Sequence, residues 1–432
     1  MQISSWGRYP VVEGREIAWS GQEDLTGLLQ GQGEFLPRGN ARSYGDCALA
    51  PTMVNGTAGR RFLFWDEQTG DLECEAGVLL ADILETFVPR GWFLPTTPGT
   101  KWITIGGAIA SDVHGKNHHG FGCFSAAVQY FMLWVPERGV MRVSPTENPE
   151  WFQATCGGQG LTGFILSARI RLIRVPSAQI EQITTKTRTL EETFAAFAKH
   201  KEAPYSVAWI DCLAKGDQVG RCLLTTGHHA PQGDLKFSNK MLATIPDVFP
   251  ALTLNGLSMK AFNVLYYGKA KMGESTQKVP INSFFYPLDI MSEWNRIYGK
   301  PGFMQYQFVL PLDASLEGLR KILQAIGASG KGSFLAVLKL LGKSNDNWLS
   351  FPTEGYTLAL DFKNEPAIFP LLERLDAMVL DYGGRFYLTK DSRMSKTTFE
   401  RGYPQVERFR AWREQQGLRN KIWSLQSRRL GL

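Results

Sequence analysis

The sequence predicts an α+β protein of two domains, one carrying three glycine-rich clusters and the other built on an antiparallel sheet covered by helices. Three observations predict it. At 432 residues the chain is too long for one ordinary core. Glycine clusters at 36–46, 98–115 and 156–163 are interleaved with alternating strand and helix signals. Beyond Pro176 two strand–helix units follow one another, at 306–326 and 357–379, the pattern of a sheet covered on one side.

Leu79, Leu80, Ile83, Leu84, Phe87 and Val88 recur at helical spacing, and Pro89-Arg-Gly91 ends that helix. Residues 128–135 form an apolar run suited to a buried strand. Phe164, Leu166, Ala168, Ile170 and Leu172 alternate with Arg169 and Arg171, a half-buried strand. The composition turns polar through 177–188, which places a boundary there: residues 1–175 form the first domain and 176–385 the second. A helix is expected at Leu190–Lys199 and a strand at 205–212. Segment 234–278 has weak periodicity and several glycines, and reads as a long loop or flap. The last strand–helix unit is closed by Gly383-Gly384.

Composition narrows the class. Hydrophobic residues make up 44% and charged residues 20%, a globular balance and not a disordered one. The net charge of +6 suits an anionic ligand or an acidic membrane surface. No Lys/Arg block resembles a nucleic-acid arm. The basic run 419–429 is interrupted by Ile422, Trp423 and Leu425 and reads as the end of an amphipathic helix. The longest stretch free of Asp, Glu, Lys and Arg, 117–136, is broken by polar side chains and is no membrane span. MQISSWGRYPVV lacks the features of a secretory signal, so the expectation is a cytoplasmic protein, at most peripheral at the inner membrane, with the periplasmic side left open. Six cysteines without a CxxC pair are expected to be free buried thiols. His114, His118 and His119 have no acidic partner in sequence, so no metal site is expected.

The chemistry lies in the glycine clusters. In the first, Arg38, Arg42 and Ser43 offer charge-assisted donors around a backbone that glycines allow to turn, a combination suited to a diphosphate. The small residues at 106–111 allow close approach of a backbone or a flat ligand. The third cluster, Cys156 to Gly163, leads into the alternating strand. No Gly-Lys-Ser/Thr follows any of them, and none matches GxGxxG in a strand–turn–helix setting, which disfavours P-loop and Rossmann folds. The spread points to an extended dinucleotide lying across the domain.

Arg38-Gly-x-x-Arg-Ser-Tyr-Gly45, Thr104-x-Gly-Gly-Ala108 and Gly157-Gly-x-Gly-Leu-Thr-Gly163 resemble the FAD-binding (PCMH-type) signature of the vanillyl-alcohol oxidase superfamily. The block Gly106-Gly-Ala-Ile-Ala-Ser-Asp-Val-His-Gly-Lys-Asn-His-His119 is similar to the narrower decaprenylphosphoryl-β-D-ribose 2′-oxidase family, the flavoprotein half of a lipid-linked ribose-to-arabinose epimerase. The likeness continues through Ser206-Val-Ala-Trp-Ile-Asp211, Gln305-Tyr-Gln-Phe-Val309 and Gly383-Gly-Arg-x-Tyr-x-x-Lys-Asp-Ser-Arg393, covering nearly the whole chain in order.

The resemblance implies FAD contacts at Pro37, Arg38, Gly39, Asn40, Ala41, Arg42, Ser43, Tyr44, Gly45, Asp46 and Cys47. Further contacts are implied at Gly99, Thr104, Ile105, Gly106, Gly107, Ser111, Asp112, Val113, His114, Ile165 and Tyr387. It implies that residues 386–432 return to the FAD domain, making that domain discontinuous. It points to Lys390 and Tyr44 as catalytic, with Trp209, Gln307, Lys339 and Phe285 around the substrate. Lys390 can be a base only if burial or a nearby cation lowers its pKa. Lys339 amid apolar neighbours is a candidate for binding a phosphate or a sugar oxygen.

Members with covalent flavin often carry histidine where this chain has Asp46, so FAD is expected to be noncovalent. Mycobacterial members carry cysteine at Ala359 and tyrosine at Phe285. The activity implied is oxidation of the ribose 2′-hydroxyl of a polyprenyl-phosphoryl ribose. A separate NAD(P)H-dependent short-chain reductase would complete the epimerisation, and a quinone or other acceptor would reoxidise the flavin. The alternatives are an aldonolactone or alditol oxidase acting on a soluble sugar, and a noncatalytic flavin or lipid-glycan binding protein.

Overall fold

Two families of strands divide the chain. The structure, a computed structural model, describes residues 1–21, 24–247, 256–333 and 335–432. In the first part Arg15–Ala18, Thr52–Asn55 and Leu36–Arg38 form a small parallel sheet, with Thr52–Asn55 in the middle. Beside it lies an antiparallel sheet in the order Gly139–Val143, Val128–Val135, Phe164–Arg171, Asp71–Glu75, Phe62–Asp66. Val128–Val135 is the predicted apolar run, and Phe131, Leu133 and Val135 are fully buried. The helix Leu80–Phe87 buries Leu80, Ile83, Leu84 and Phe87, and the chain turns out of it at Gly91, φ +80°.

The second part is an eight-stranded antiparallel sheet. Its order is Gly273–Pro280, Gln179–Thr187, Cys222–His229, Tyr205–Ile210, Ala336–Leu341, Gly355–Lys363, Phe303–Pro311, Arg385–Phe386. Helices Leu190–Lys199, Leu312–Ser329 and Phe369–Asp381 cover one face, the long one through Leu319, Ile322, Leu323 and Ile326. This is the α+β, two-domain vanillyl-alcohol-oxidase-like fold. Side chains alternate along each strand, so the register places Trp209, Val337, Ala359 and Gln307 in one row across four strands. That row lies on the face the helices leave open.

After Arg385–Phe386 the chain leaves this sheet and is stitched onto the first part. Phe35 N–H donates to Lys421 O (3.0 Å), Leu425 N–H to Leu49 O (2.8 Å), and buried Arg413 Nε to Leu161 O (3.1 Å). All six cysteines are free and buried. Among the described residues no helix is long and apolar enough to cross a membrane.

The polar run 177–188, taken as the boundary, holds a nine-residue strand, Gln179–Thr187; most of its residues are half buried, so polar side chains are tolerated between two ladder partners. Two expectations are corrected. Segment 234–278 contains a 14-residue helix, Gly256–Lys269, and an exposed edge strand, Gly273–Pro280; residues 248–255 lie outside the described ones. Neither element shows core periodicity, because the helix turns apolar side chains outward and the strand is solvated. In 419–429 only Leu425–Leu430 is helical; Ile422 and Trp423 are buried against Phe35 and Arg428.

Candidate active site

Between the glycine clusters and the open face of the large sheet lies a cavity of about 560 Å³, within the usual range for a cofactor site. The first glycine loop forms one wall. A Cβ on Gly39 would come within 2.4 Å of Thr104 Oγ1, so only glycine lets the first and second loops meet this closely. Asn40 Nδ2 donates to Trp102 O at 2.7 Å and ties them further. At the other end of the loop, a Cβ on Gly45 would lie 1.8 Å from Asp391 O, and Tyr44 N–H donates to Thr389 O at 3.0 Å. The loop is thereby clamped onto the turn that carries Lys390. The third cluster contributes Gln159, Gly160 and Gly163, and Thr389 Oγ1 donates to Gln159 Oε1 at 3.3 Å.

Two donors in this wall have no partner within the protein: Arg42 Nε and Ser43 Oγ are buried and unbonded. A buried unsatisfied donor costs roughly 1–3 kcal/mol, so their presence at a cavity wall fits a ligand that brings acceptor oxygens, as a dinucleotide diphosphate does. The Arg42 guanidinium is braced on the Trp6 ring, 4.0 Å from its centroid. Arg38 departs from the expectation of a free donor. It lines the cavity, but its guanidinium pairs with Glu16 at 2.8 Å and donates to Ser4 O at 3.0 Å.

The opposite wall is the sheet row with its neighbours. Gln307 Nε2 donates to Thr357 Oγ1 and to His114 Nε2, both at 3.2 Å. Receiving that bond on Nε2 makes His114 the Nδ1-protonated tautomer, and burial beside Lys339, His118 and Lys390 holds its pKa well below the ordinary value. His114 is therefore neutral, with a buried Nδ1–H that finds no partner in the protein. Lys339 extends from the same sheet face, and burial lowers its amine to about 8.

Lys390 sits between the two walls, its Nζ 3.5 Å from the centroid of the Tyr44 ring. Burial pushes the Lys390 amine well down from 10.5, Asp361 pulls it up and Lys339 adds to the lowering. Asp361 is held by Gln305 Nε2 at 2.6 Å, and burial pushes its carboxyl up. Burial also pushes the Tyr44 phenol well up, so Tyr44 stays neutral and is no base.

The cavity collects most of the residues expected from sequence. Pro37, Arg38, Gly39, Asn40, Ala41, Arg42, Ser43, Tyr44, Cys47, Gly99, Thr104, Gly106, Gly107, Ser111, Val113, His114, Ile165, Tyr387, Gln307, Lys339 and Lys390 all line it. Four expected contacts stand behind the wall instead. Gly45 packs on Asp391, and Ile105 is in the core. Asp46 pairs with Arg429 at 2.7 Å. Asp112 accepts from Asn345, Asn347 and Ser350 at 2.8, 2.9 and 2.7 Å. Phe285 is also displaced: it is fully buried among Phe93, Tyr205 and Phe284. Trp209 shares the sheet row but lies at its outer end, against Tyr266 at 4.9 Å.

Sequence reasoning missed Trp6, Gln305, Val337, Thr389, and the rim residues Met241, Met291 and Trp294. Gln305 and Val337 could have been found, since each lies two residues from an expected one on the same strand face. The rim residues carry no local signal.

A family model described as the FAD binding domain matches residues 30–144. Over 428 residues the chain is 35% identical to the decaprenylphosphoryl-beta-D-ribose oxidase of Mycolicibacterium smegmatis, spanning 94% of this chain and 92% of that protein. It is 28% identical to an uncharacterized protein in the mprA 5′ region of Streptomyces coelicolor, over 82% of this chain and all of the relative. A D-lactate dehydrogenase of Anaerostipes hadrus is 23% identical over 37% of the chain and 35% of its own length.

Proposed function

Because this chain belongs to the decaprenylphosphoryl-β-D-ribose oxidase family and is an FAD-dependent oxidoreductase, we propose that it oxidises the ribose 2′-hydroxyl of a polyprenyl-phosphoryl-β-D-ribose to the 2′-keto sugar. A separate NAD(P)H-dependent short-chain reductase then completes a ribose-to-arabinose epimerisation. The observation that carries the reading is the pair of amines, Lys390 and Lys339, on the walls of one cavity beside the glycine loops.

The residues present suit the cofactor. Arg42 and Ser43 supply the unbonded donors for its diphosphate, and Gly106-Gly107, in the first turn of the helix Ile105–Ala110, line the cavity beside the loop around Gly39. When bound, FAD would supply the two-electron acceptor for the hydride from C2′, with a quinone or similar compound as the terminal oxidant. Attachment is noncovalent, because Asp46, paired with Arg429, stands where members with a covalent tether carry histidine.

This chain's own side chains handle the proton and the geometry. Lys390, its amine lowered by burial, accepts the 2′-hydroxyl proton as the C–H bond breaks and the carbonyl forms. Tyr44 fixes the Lys390 amine over its ring and walls it from solvent. Lys339 and Gln307, on the same face of the sheet with the strand Gly355–Lys363 between them, hold the phosphate and a sugar hydroxyl.

The test is anaerobic bleaching of the yellow protein. A short-chain polyprenyl-phosphoryl ribose should bleach it and free ribose should not. Bleaching by soluble aldonolactones or alditols instead would establish the soluble-sugar oxidase, and no bleaching by any sugar would leave a binding protein.

A further inference from the structure

The helix Gly256–Lys269 is mounted the reverse of an ordinary surface helix. Such a helix turns its apolar stripe to the core and its polar face to water. Here the inward side is polar: Asn263 is buried and donates to Asp211 Oδ1 at 2.8 Å, and Tyr267 OH donates to Thr187 O at 2.9 Å. At about 100° per residue, Leu265 lies about 200° round the helix from Asn263. Leu265 is 69% exposed and its neighbour Val264 53%, with exposed Ala261 and Gly268 between Lys260 and Lys269. Leaving these side chains in water has no benefit to the fold, and adjacent apolar exposure of this kind marks a contact surface.

Charge says what the surface meets. Residues 236–272 contain five lysines and a single acid, Asp247, which is taken by Arg8 at 2.8 Å. Lys240, Lys260, Lys269 and Lys271 are exposed and have no carboxylate partner among the described residues. Exposed apolar side chains with lysines among and beside them, and no unpaired acid to repel phosphate, form a surface suited to anionic lipid.

Position agrees. Tyr266 of this helix packs on Trp209, whose row neighbour Val337 lines the cavity. Farther along the rim, Met241 and Met291 line the cavity, while Leu242, 72% exposed, donates its N–H to Ile290 O and turns its side chain to solvent.

We propose that the outer face of Gly256–Lys269 and its flanking lysines seat the protein on the surface of an anionic phospholipid bilayer, beside the mouth of the cavity. The inference deepens the proposed function, in which the sugar headgroup enters the cavity while its lipid stays in the membrane, and it rests on that reading for its purpose. The surface itself can be tested without substrate.

The experiment is co-sedimentation of the FAD-loaded protein with sucrose-filled vesicles containing no sugar lipid. Wild type should bind 3:1 phosphatidylcholine–phosphatidylglycerol vesicles, bind pure phosphatidylcholine weakly, and be released by high salt. The double substitution Val264→Glu/Leu265→Glu should weaken binding at least tenfold, and Lys269→Gln/Lys271→Gln about tenfold or more. Both variants should keep their flavin and their turnover of a water-soluble short-chain substrate. Absence of wild-type binding to the anionic vesicles overturns the proposal, as does equal binding by the glutamate variant. A concentration-dependent dimer abolished by the same glutamates also overturns it, since the face would then belong to a second copy. Because the vesicles carry no sugar, failure here leaves the bleaching test untouched, and failure of bleaching leaves this result standing.

Discussion

Replacing Arg429 by methionine removes the one cation that two buried carboxylates share. Its Nη2 lies 2.7 Å from Asp46 and 2.8 Å from Asp391, and Nε is 3.1 Å from Asp46. The two acids sit on different walls of the site, Asp46 at the end of the first glycine loop and Asp391 directly after Lys390, so the guanidinium pins one to the other. Breaking a buried pair from one side costs about 3–5 kcal/mol, because the charge left behind is uncompensated. Asp391 still accepts from Arg393 N–H and Met394 N–H at 3.0 and 2.8 Å and stays ionised. Asp46, whose pKa burial already raises against the pull of Arg429, is the group that must take up a proton.

The sign follows: in the variant Asp46 has a folded pKa above its unfolded value near ~3.9. The added deficit is absent below that range and grows as pH rises through the raised folded value. At ~2–4 °C per kcal/mol for a unit of roughly this size, the variant should melt about 10 °C below wild type at pH 8 and by clearly less at pH 5. Flavin-fluorescence thermal scans at both values measure this. A loss of under about 2 °C at pH 8, or a larger loss at pH 5 than at pH 8, would refute the clamp.

Lys390→Met should retain FAD and lower kcat by roughly 10²–10⁴-fold; near-normal turnover would remove the proposed base. In wild type kcat/KM should rise with pH through the lowered Lys390 value and level off before 10.5. Asp361→Asn deletes the carboxylate that raises that amine and should move the rising limb to lower pH, whereas Lys339→Met deletes a cation that lowers it and should move the limb upward; stopped-flow reduction across pH decides, and an upward shift for Asp361→Asn or a downward one for Lys339→Met refutes the assignment. Acid precipitation should leave FAD in the supernatant, a yellow pellet being the contrary result. Ala359 lines the cavity, so Ala359→Cys should be labelled there by a small thiol reagent while wild type, its Cys47 thiol pushed up to about 12 by burial, should not be.

What sequence could reach here was set by the range over which each physical signal acts. Core periodicity acts over a few residues, so Val128–Val135 and Leu190–Lys199 were legible to the residue. The helix Gly256–Lys269 was not, because its apolar side chains serve no core and its inward contacts are polar. The first glycine cluster was legible as a loop, while the second holds a short helix, Ile105–Ala110, and the reason for individual glycines was not legible: Gly45 is small because of Asp391, 346 positions later by the numbering. Asp46 shows the same limit. Its place in the loop implied a cofactor contact, while its partner is Arg429. Lys390 has meaning only through such remote contacts, since Gly45 and Arg429 fix the turn that aims it and the Tyr44 ring receives its amine. A lysine read alone is a solvated surface residue. This one becomes a candidate base because residues from the first glycine loop and the last helix hold it in a cavity where charge is costly.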